Sequence, residues 1–251
     1  MLNQEQLNHY HEQGWVVVKN VVPLSVIQKI KKEISGVHEF FVNHTMKGTN
    51  VSWEPDVPKG SAPKIQQLMG SEIVSPSLGE VIRSKEIVDM VEQIIGPEIE
   101  LFHSKLLMKA PNVGGGHFPW HQDYGYWTQH EKMPVQMNCA LAIDPQTIEN
   151  GCLHYVPGSQ KSGLLNHMNS GAKGFAWGLP GDIKAFPGVP VEYEPGDICF
   201  FGPLVIHGSE PNRTNESAVF NTCAYAVPGF QKNGNETREL LRSRKEAALA
   251  V

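Results

Sequence analysis

The stretch Glu194-Pro195-Gly196-Asp197-Ile198-Cys199-Phe200-Phe201-Gly202-Pro203-Leu204-Val205-Ile206-His207-Gly208-Ser209 decides the fold class. Glu-Pro-Gly-Asp is a tight-turn sequence, because proline presets the backbone of the second turn position and glycine tolerates the left-handed backbone of the third. Ile198 to Phe201 is an apolar run too short for a helix. Gly202-Pro203 interrupts it, and Val205 to His207 is a second short run, so the segment predicts strands joined by turns. The same texture begins at Glu98. Ile99 to Met108, Val135 to Ile143, Cys152 to Val156 and Val219 to Val227 are further candidate strands, separated by Gly, Pro, Asn and Asp. Short strands at such spacing predict an antiparallel jelly roll of the cupin-like kind, mostly β with flanking α-helices. Gly114-Gly115-Gly116 and Val156-Pro157-Gly158-Ser159 mark tight loops.

The first hundred residues read differently, as helices with one strand-like interruption at Trp15 to Val18. Leu24, Ile27, Ile30 and Ile34 recur at helical spacing after Pro23, and Ser84 stands as N-cap before the apolar face of Ile87, Val88, Val91, Ile94 and Ile95, which Gly96-Pro97 ends. Asn43 to Pro63 carries three prolines and little periodicity, and reads as a long loop able to cover a site. The tail from Asn235 to Ala250 is charged and Ala/Leu-rich, which predicts a terminal helix. The expected organisation is one domain over residues 1–251, with a helical lead-in over about 1–97 and a jelly-roll core over about 98–230.

The charge balance, 21 Lys plus Arg against 26 Asp plus Glu, is mildly acidic and excludes a strongly basic nucleic-acid binder. No stretch approaches the ~20 apolar residues of a membrane span. The opening Met1 to Gly14 lacks the basic and apolar regions of a signal peptide, so a cytoplasmic protein is expected, with a small-molecule partner and neither nucleic acid nor membrane. Cys139, Cys152, Cys199 and Cys223 lie far apart in apolar stretches, as free buried thiols do.

The chemistry concentrates on His121-Gln122-Asp123 and His207. Residues two apart on an extended strand share a side, so His121 and Asp123 can reach one metal ion. His207, about 85 positions later at a strand end, can supply a third ligand once the sheet folds back. Two imidazoles and one carboxylate on one face of an octahedral ion leave the other face open, the arrangement of non-haem Fe(II) oxygenases. His117 and His121 are four apart, but Pro119 argues against a zinc-binding helix there.

Phe102-His103-Ser104-Lys105-Leu106-Leu107-Met108-Lys109-Ala110-Pro111, then Phe118-Pro119-Trp120-His121-Gln122-Asp123, Glu149-Asn150-Gly151-Cys152-Leu153-His154, Pro157-Gly158-Ser159, Pro195-Gly196-Asp197, His207-Gly208-Ser209 and Pro211-Asn212 stand in an order and spacing that resembles the phytanoyl-CoA dioxygenase family over Phe102 to Asn212. The resemblance implies a double-stranded β-helix in which His121, Asp123 and His207 ligate Fe(II), with 2-oxoglutarate and O2 as cosubstrates. It implies oxidation of a C–H bond of a small organic molecule or secondary metabolite, most simply hydroxylation. Because Asp123 is retained where halogenating relatives have a small residue, it also implies oxygenation, desaturation or ring chemistry and not halogenation.

The chain departs from the family at one position. Relatives place an arginine eleven residues after the distal histidine to hold the far carboxylate of 2-oxoglutarate, and here that residue is Ala218. A dicarboxylate in a closed pocket needs a cation to offset its desolvation. Arg213 and Lys105 are the candidate replacements, with Ser209 and Asn138 as hydrogen-bonding support. For the substrate, Tyr124, Tyr126 and Trp127 follow the iron motif, and Trp177 lies in a Gly-rich insertion between Gly163 and Gly188. That insertion and the Asn43 to Pro63 loop are the lid candidates. Two rival readings remain open on sequence: an iron oxygenase that does not use 2-oxoglutarate, and a non-catalytic jelly roll with a metal of structural role.

Overall fold

The computed structural model describes residues 1–111, 117–126, 136–170, 177–181, 185–228 and 238–243. Its lead-in comprises α1 (Gln4–Gln13), β1 (Trp15–Val18), α2 (Leu24–Ile34), α3 (Val37–Asn43), β2 (Asn50–Trp53), β3 (Ile65–Met69), α4 (Ser71–Val74), α5 (Pro76–Ile82) and α6 (Lys85–Ile95). The core follows as β4 (Ile99–Lys109), β5 (Phe118–His121), β6 (Gln136–Ala142), β7 (Leu153–Tyr155), β8 (Met168–Asn169), β9 (Trp177–Gly178), β10 (Val189–Pro190), β11 (Ile198–Phe201), β12 (His207–Ser209), β13 (Ala218–Ala226) and β14 (Glu239–Arg242).

Local chemistry sets the helix ends. Asn3 and Gln6 form a reciprocal capping box at the start of α1, which stops at Gly14 in the left-handed region. Ser84 caps α6 by accepting from the Ile87 N–H, as the sequence predicts. Two antiparallel sheets face each other as a double-stranded β-helix. The larger runs β1-β11-β6-β13-β4-β3-β2, with β14 beside β4, and the smaller runs β10-β7-β12-β5. Alternation along each strand then sorts the side chains. Leu106 and Met108 of β4, Cys139 and Leu141 of β6 and Cys223 of β13 face outward onto Ile27, Ile30, Leu78, Ile82, Ile87 and Val91 of the helices. Leu107, Ala140, Phe201 and Phe220 face inward and meet Phe118, Leu153 and Tyr155 of the smaller sheet. All four cysteines are free and buried.

The lead-in is less helical than the sequence suggests. Part of the expected Asn43 to Pro63 loop is the strand β2, which pairs with β3, and β3 in turn extends the sheet beyond β4. Both strands contain polar residues that carry no clear period, and their order comes from distant partners. In the tail, residues 239–242 form β14 against Ile99 to Leu101 instead of helix. Arg242 then meets Asp89 and Glu92 of α6 while Glu239 pairs with Arg83, so partners from α6 and the edge of β4 override the helical composition. The rest of the predicted tail helix, and Gly114 to Gly116, lie outside the described residues. The strand expected at Val205 to His207 begins at His207 and runs to Ser209. No helix among the described residues is long and apolar enough to cross a membrane.

Candidate metal centre

His121 ends β5, His207 opens β12, and the two are directly opposed in the antiparallel register. Asp123 opens the turn after β5. One ligand atom from each of the three side chains lies within 4.8 Å of the others. His121 Nε2 is 3.9 Å from Asp123 Oδ1, and His207 Nε2 is 3.8 Å from Asp123 Oδ2. Each imidazole has its other nitrogen occupied: His121 Nδ1 is 2.8 Å from Pro119 O and His207 Nδ1 is 3.0 Å from Val205 O. A carbonyl can only accept, so both rings carry their proton on Nδ1 and present the Nε2 lone pair inward, the tautomer a metal requires. Burial, and for His121 the neighbouring His207, push both imidazoles down, His121 to about 3, so they stay neutral. Burial alone would push the Asp123 carboxyl up, but His207, Lys105, His121 and His103 outweigh it and hold the group below its ordinary value. Asn138 Nδ2 donates to Asp123 Oδ2 at 2.6 Å and fixes the carboxylate plane. This donor set, two neutral imidazole nitrogens and an ionised carboxylate on one side, fits a divalent ion with open positions.

The residue between the ligands has its own task. Gln122 is fully buried, donates from Nε2 to Gly163 O and Leu204 O, and accepts from the Leu165 N–H. It points away from the triad and staples the turn that holds Asp123 to the segments before β8 and β12. Behind His207, Tyr155 stacks at 6.0 Å between centroids, and Trp15 of β1 stacks on Tyr155 at 5.2 Å, so the lead-in backs the metal-facing wall.

A cavity of about 180 Å³ opens on the triad, lined by His103, Lys105, Gln67, Thr222, Asn138 and Tyr126 on its polar side and by Leu107, Phe118, Leu153 and Phe201 on its apolar side. The sequence candidates divide around it. Lys105 and Asn138 line it, although Asn138 serves the carboxylate ligand. Arg213 does not: its side chain is 71% exposed on the loop after β12 and pairs with Glu210. Ser209 also lies outside the lining, with its hydroxyl accepting from Lys109 Nζ at 2.6 Å. Of the aromatic candidates, Tyr126 lines the cavity and donates to Trp177 O at 2.6 Å. Tyr124 is buried but faces elsewhere, and Trp177 is 47% exposed, with its indole N–H on Gly125 O. Trp127 lies outside the described residues.

Gln67 and Thr222 carry no motif, and Lys109, though inside the run Phe102 to Pro111, has no role assigned to it by a reading of the chain alone. Only strand register brings Thr222 opposite Lys105, Gln67 opposite Leu107, and Lys109 opposite Ala218. Lys109 is the largest surprise. Its ammonium donates to Gly151 O, Ser209 Oγ and Glu210 O, each at 2.6 Å, and lies 5.8 Å from the centre of the Phe118 ring.

Comparison with known proteins bears on the same centre. The family model described as phytanoyl-CoA dioxygenase matches residues 10–220. A probable phytanoyl-CoA dioxygenase of Caenorhabditis elegans is 31% identical over 244 residues, covering 90% of this chain and 76% of that protein. The peroxisomal phytanoyl-CoA dioxygenase of Homo sapiens is 29% identical over 238 residues, covering 90% and 69% respectively. Among solved structures, EctD from S. alaskensis with 2-oxoglutarate and 5-hydroxyectoine superposes with a TM-score of 0.72 at 17% identity, over 97% of this chain and 84% of that one, a likeness of fold.

Proposed function

The chain belongs to the phytanoyl-CoA dioxygenase family of Fe(II)- and 2-oxoglutarate-dependent dioxygenases, and from that premise we propose that it hydroxylates a C–H bond of a small organic molecule at a centre ligated by His121, Asp123 and His207. The observation that carries this assignment is the pair of Nδ1–H to carbonyl bonds, which turns both Nε2 lone pairs toward one carboxylate at the wall of a cavity. Iron bound there supplies activation of dioxygen, coupled to decarboxylation of the keto acid. The chain's own residues do the rest. Asn138 keeps Asp123 in its ligating orientation, Gln122 holds the intervening turn, and Phe201, Leu107, Phe118 and Leu153 exclude water from one side of the site.

Tyr126 is the aromatic placed to contact substrate, with Trp177 fixing its hydroxyl from behind. The mildly acidic chain suits a small-molecule substrate in the cytoplasm, with no nucleic-acid or membrane partner. Lead-in and core work as one domain, since β1 to β3 belong to the same sheet as the core strands. The test is conversion of 2-oxoglutarate to succinate by the Fe(II)-loaded protein under air, with and without a panel of small organic acids and metabolites, and with Asp123→Ala as control. Succinate formation that rises with one panel member, which gains one oxygen atom by mass, and that Asp123→Ala abolishes is the expected result. An Asp123→Ala protein as active as the parent would refute the assignment of the centre.

A further inference from the structure

Lys105 stands on the inner face of β4 and lines the cavity, yet among the described residues its ammonium has no hydrogen bond and no carboxylate within ion-pair distance. Directly opposite on β13 is Thr222, 3% exposed, which also lines the cavity and whose buried hydroxyl has no hydrogen-bond partner. Gln67, diagonal to Lys105 on β3, lines the same wall. A half-buried cation at the cavity wall and a buried hydroxyl, both with nothing to bind, are costly, and a protein keeps them side by side when a ligand completes them. Ammonium and hydroxyl are both donors, so the ligand group they suit is an anion with two acceptor atoms.

Charge identifies the anion further. A divalent metal less the Asp123 carboxylate plus the Lys105 ammonium would leave two positive charges at one cavity, which a dianion neutralises. Among the described residues the other end of the barrel offers no such place. Leu107, Phe118 and Leu153 close the cavity there, Ala218 supplies no charge, and the three protons of Lys109 are already taken by Gly151 O, Ser209 Oγ and Glu210 O.

Resting on the dioxygenase reading above, we infer that Lys105 and Thr222 form the receptor for the distal carboxylate of 2-oxoglutarate, on the sheet wall that faces the metal ligands. The expected arginine on β13 is thereby replaced by a lysine from the adjacent strand and a threonine four residues further along β13.

The experiment is anaerobic titration of the Fe(II)-loaded protein with 2-oxoglutarate and, separately, with 2-oxobutyrate, which keeps the chelating keto acid but lacks the distal carboxylate. The readout is the visible absorption of the chelate, a binding measurement that needs no turnover. The parent protein should prefer 2-oxoglutarate by roughly 100-fold, the order of a buried charge pair. Lys105→Met should bring that preference close to one while the protein still loads with Fe(II) and still binds 2-oxobutyrate. Thr222→Val, a milder change that keeps the shape, should lower the preference about tenfold, one hydrogen bond to a charged group. Preference for 2-oxoglutarate retained in both variants overturns the receptor while leaving the cosubstrate in place, and its loss in Lys109→Met alone would move the anchor to the far end. Absence of the absorption with either keto acid in the parent protein defeats the dioxygenase reading itself, and the receptor with it.

Discussion

Lys105 and Lys109 stand four residues apart on the inner face of β4, and their surroundings are opposite. Every proton of Lys109 meets an oxygen at 2.6 Å, from the turn before β7 and from the end of β12, so that one side chain ties three segments together. Gly151 makes the clamp possible: it holds φ +79°, and a β-carbon there would lie 2.2 Å from Glu210 O and 2.9 Å from Lys109 Nζ. Lys105 meets none of this and faces open cavity. Burial pushes both ammonium groups down, Lys109 to about 7, although Lys109 is 1% exposed and Lys105 is only half-buried at the cavity wall. The role of a buried cation is read from what its protons meet. Lys109 is part of the fold, whereas Lys105 is the lysine proposed to receive a ligand.

The largest effect that tests this contrast is on stability. Lys109→Met strands two carbonyls and a hydroxyl that no water replaces, and should lower the unfolding free energy by about 3 kcal/mol. Calorimetry should record a fall in melting temperature of roughly 6 to 12 °C. An unchanged melting curve would erase the distinction between the two lysines. Next is Asn138→Ala, which frees the Asp123 carboxylate to rotate and should weaken metal binding by about 10- to 100-fold, as measured by competition with a chromophoric chelator.

A buried anion extends the comparison. Asp197 accepts from Lys19 Nζ at 2.7 Å and from the N–H groups of Asn20 and Glu194 at 2.8 and 2.9 Å. Burial pushes its carboxyl up, but these donors more than offset that and hold it below its ordinary value. Its folded-state value being the lower one, the stabilisation is complete above the unfolded value of about 3.9 and disappears as pH falls through the folded value. Asp197→Asn should therefore cost roughly 2 kcal/mol at neutral pH, and the gap between the urea midpoints of parent and variant should close on acidification. The smallest effect belongs to Lys105→Met. Removing a charge without a partner should leave stability within about 1 kcal/mol of the parent, with any change upward. A melting loss equal to that of Lys109→Met would show that Lys105 is structural after all.

Much of this was legible in the chain. Glu194-Pro195-Gly196-Asp197 before an apolar run announces its turn and strand without help from elsewhere, and the same holds for the Ser84 cap of α6. The proposed metal triad is legible because such chemistry demands particular residue types at a strand end, and the fold brings His121, Asp123 and His207 together as that reading expects. What escaped depends on which strands become neighbours. β2 and β3 have no pattern of their own, β14 trades helical composition for a free edge, and Arg213 and Lys105 look equivalent until register puts one in a solvent-facing loop and the other in the cavity wall. Thr222 shows the same limit: a threonine within an apolar strand says nothing until its cross-strand partner is known.

The pairing of β1 with β11 joins residues about 185 positions apart, Trp15 to Phe201, and the Trp15 ring helps to back the metal wall through Tyr155 and His207. During synthesis the apolar strand Trp15 to Val18 leaves the ribosome well before the strand that will cover its edge exists, an interval of roughly ten to forty seconds at ordinary rates of elongation. Closure of the barrel must therefore wait until β11 is out, and the rate of folding is bound to that long-range contact. Until then the apolar strand Trp15 to Val18 has an unpaired edge, the kind of exposed strand that invites association with other chains.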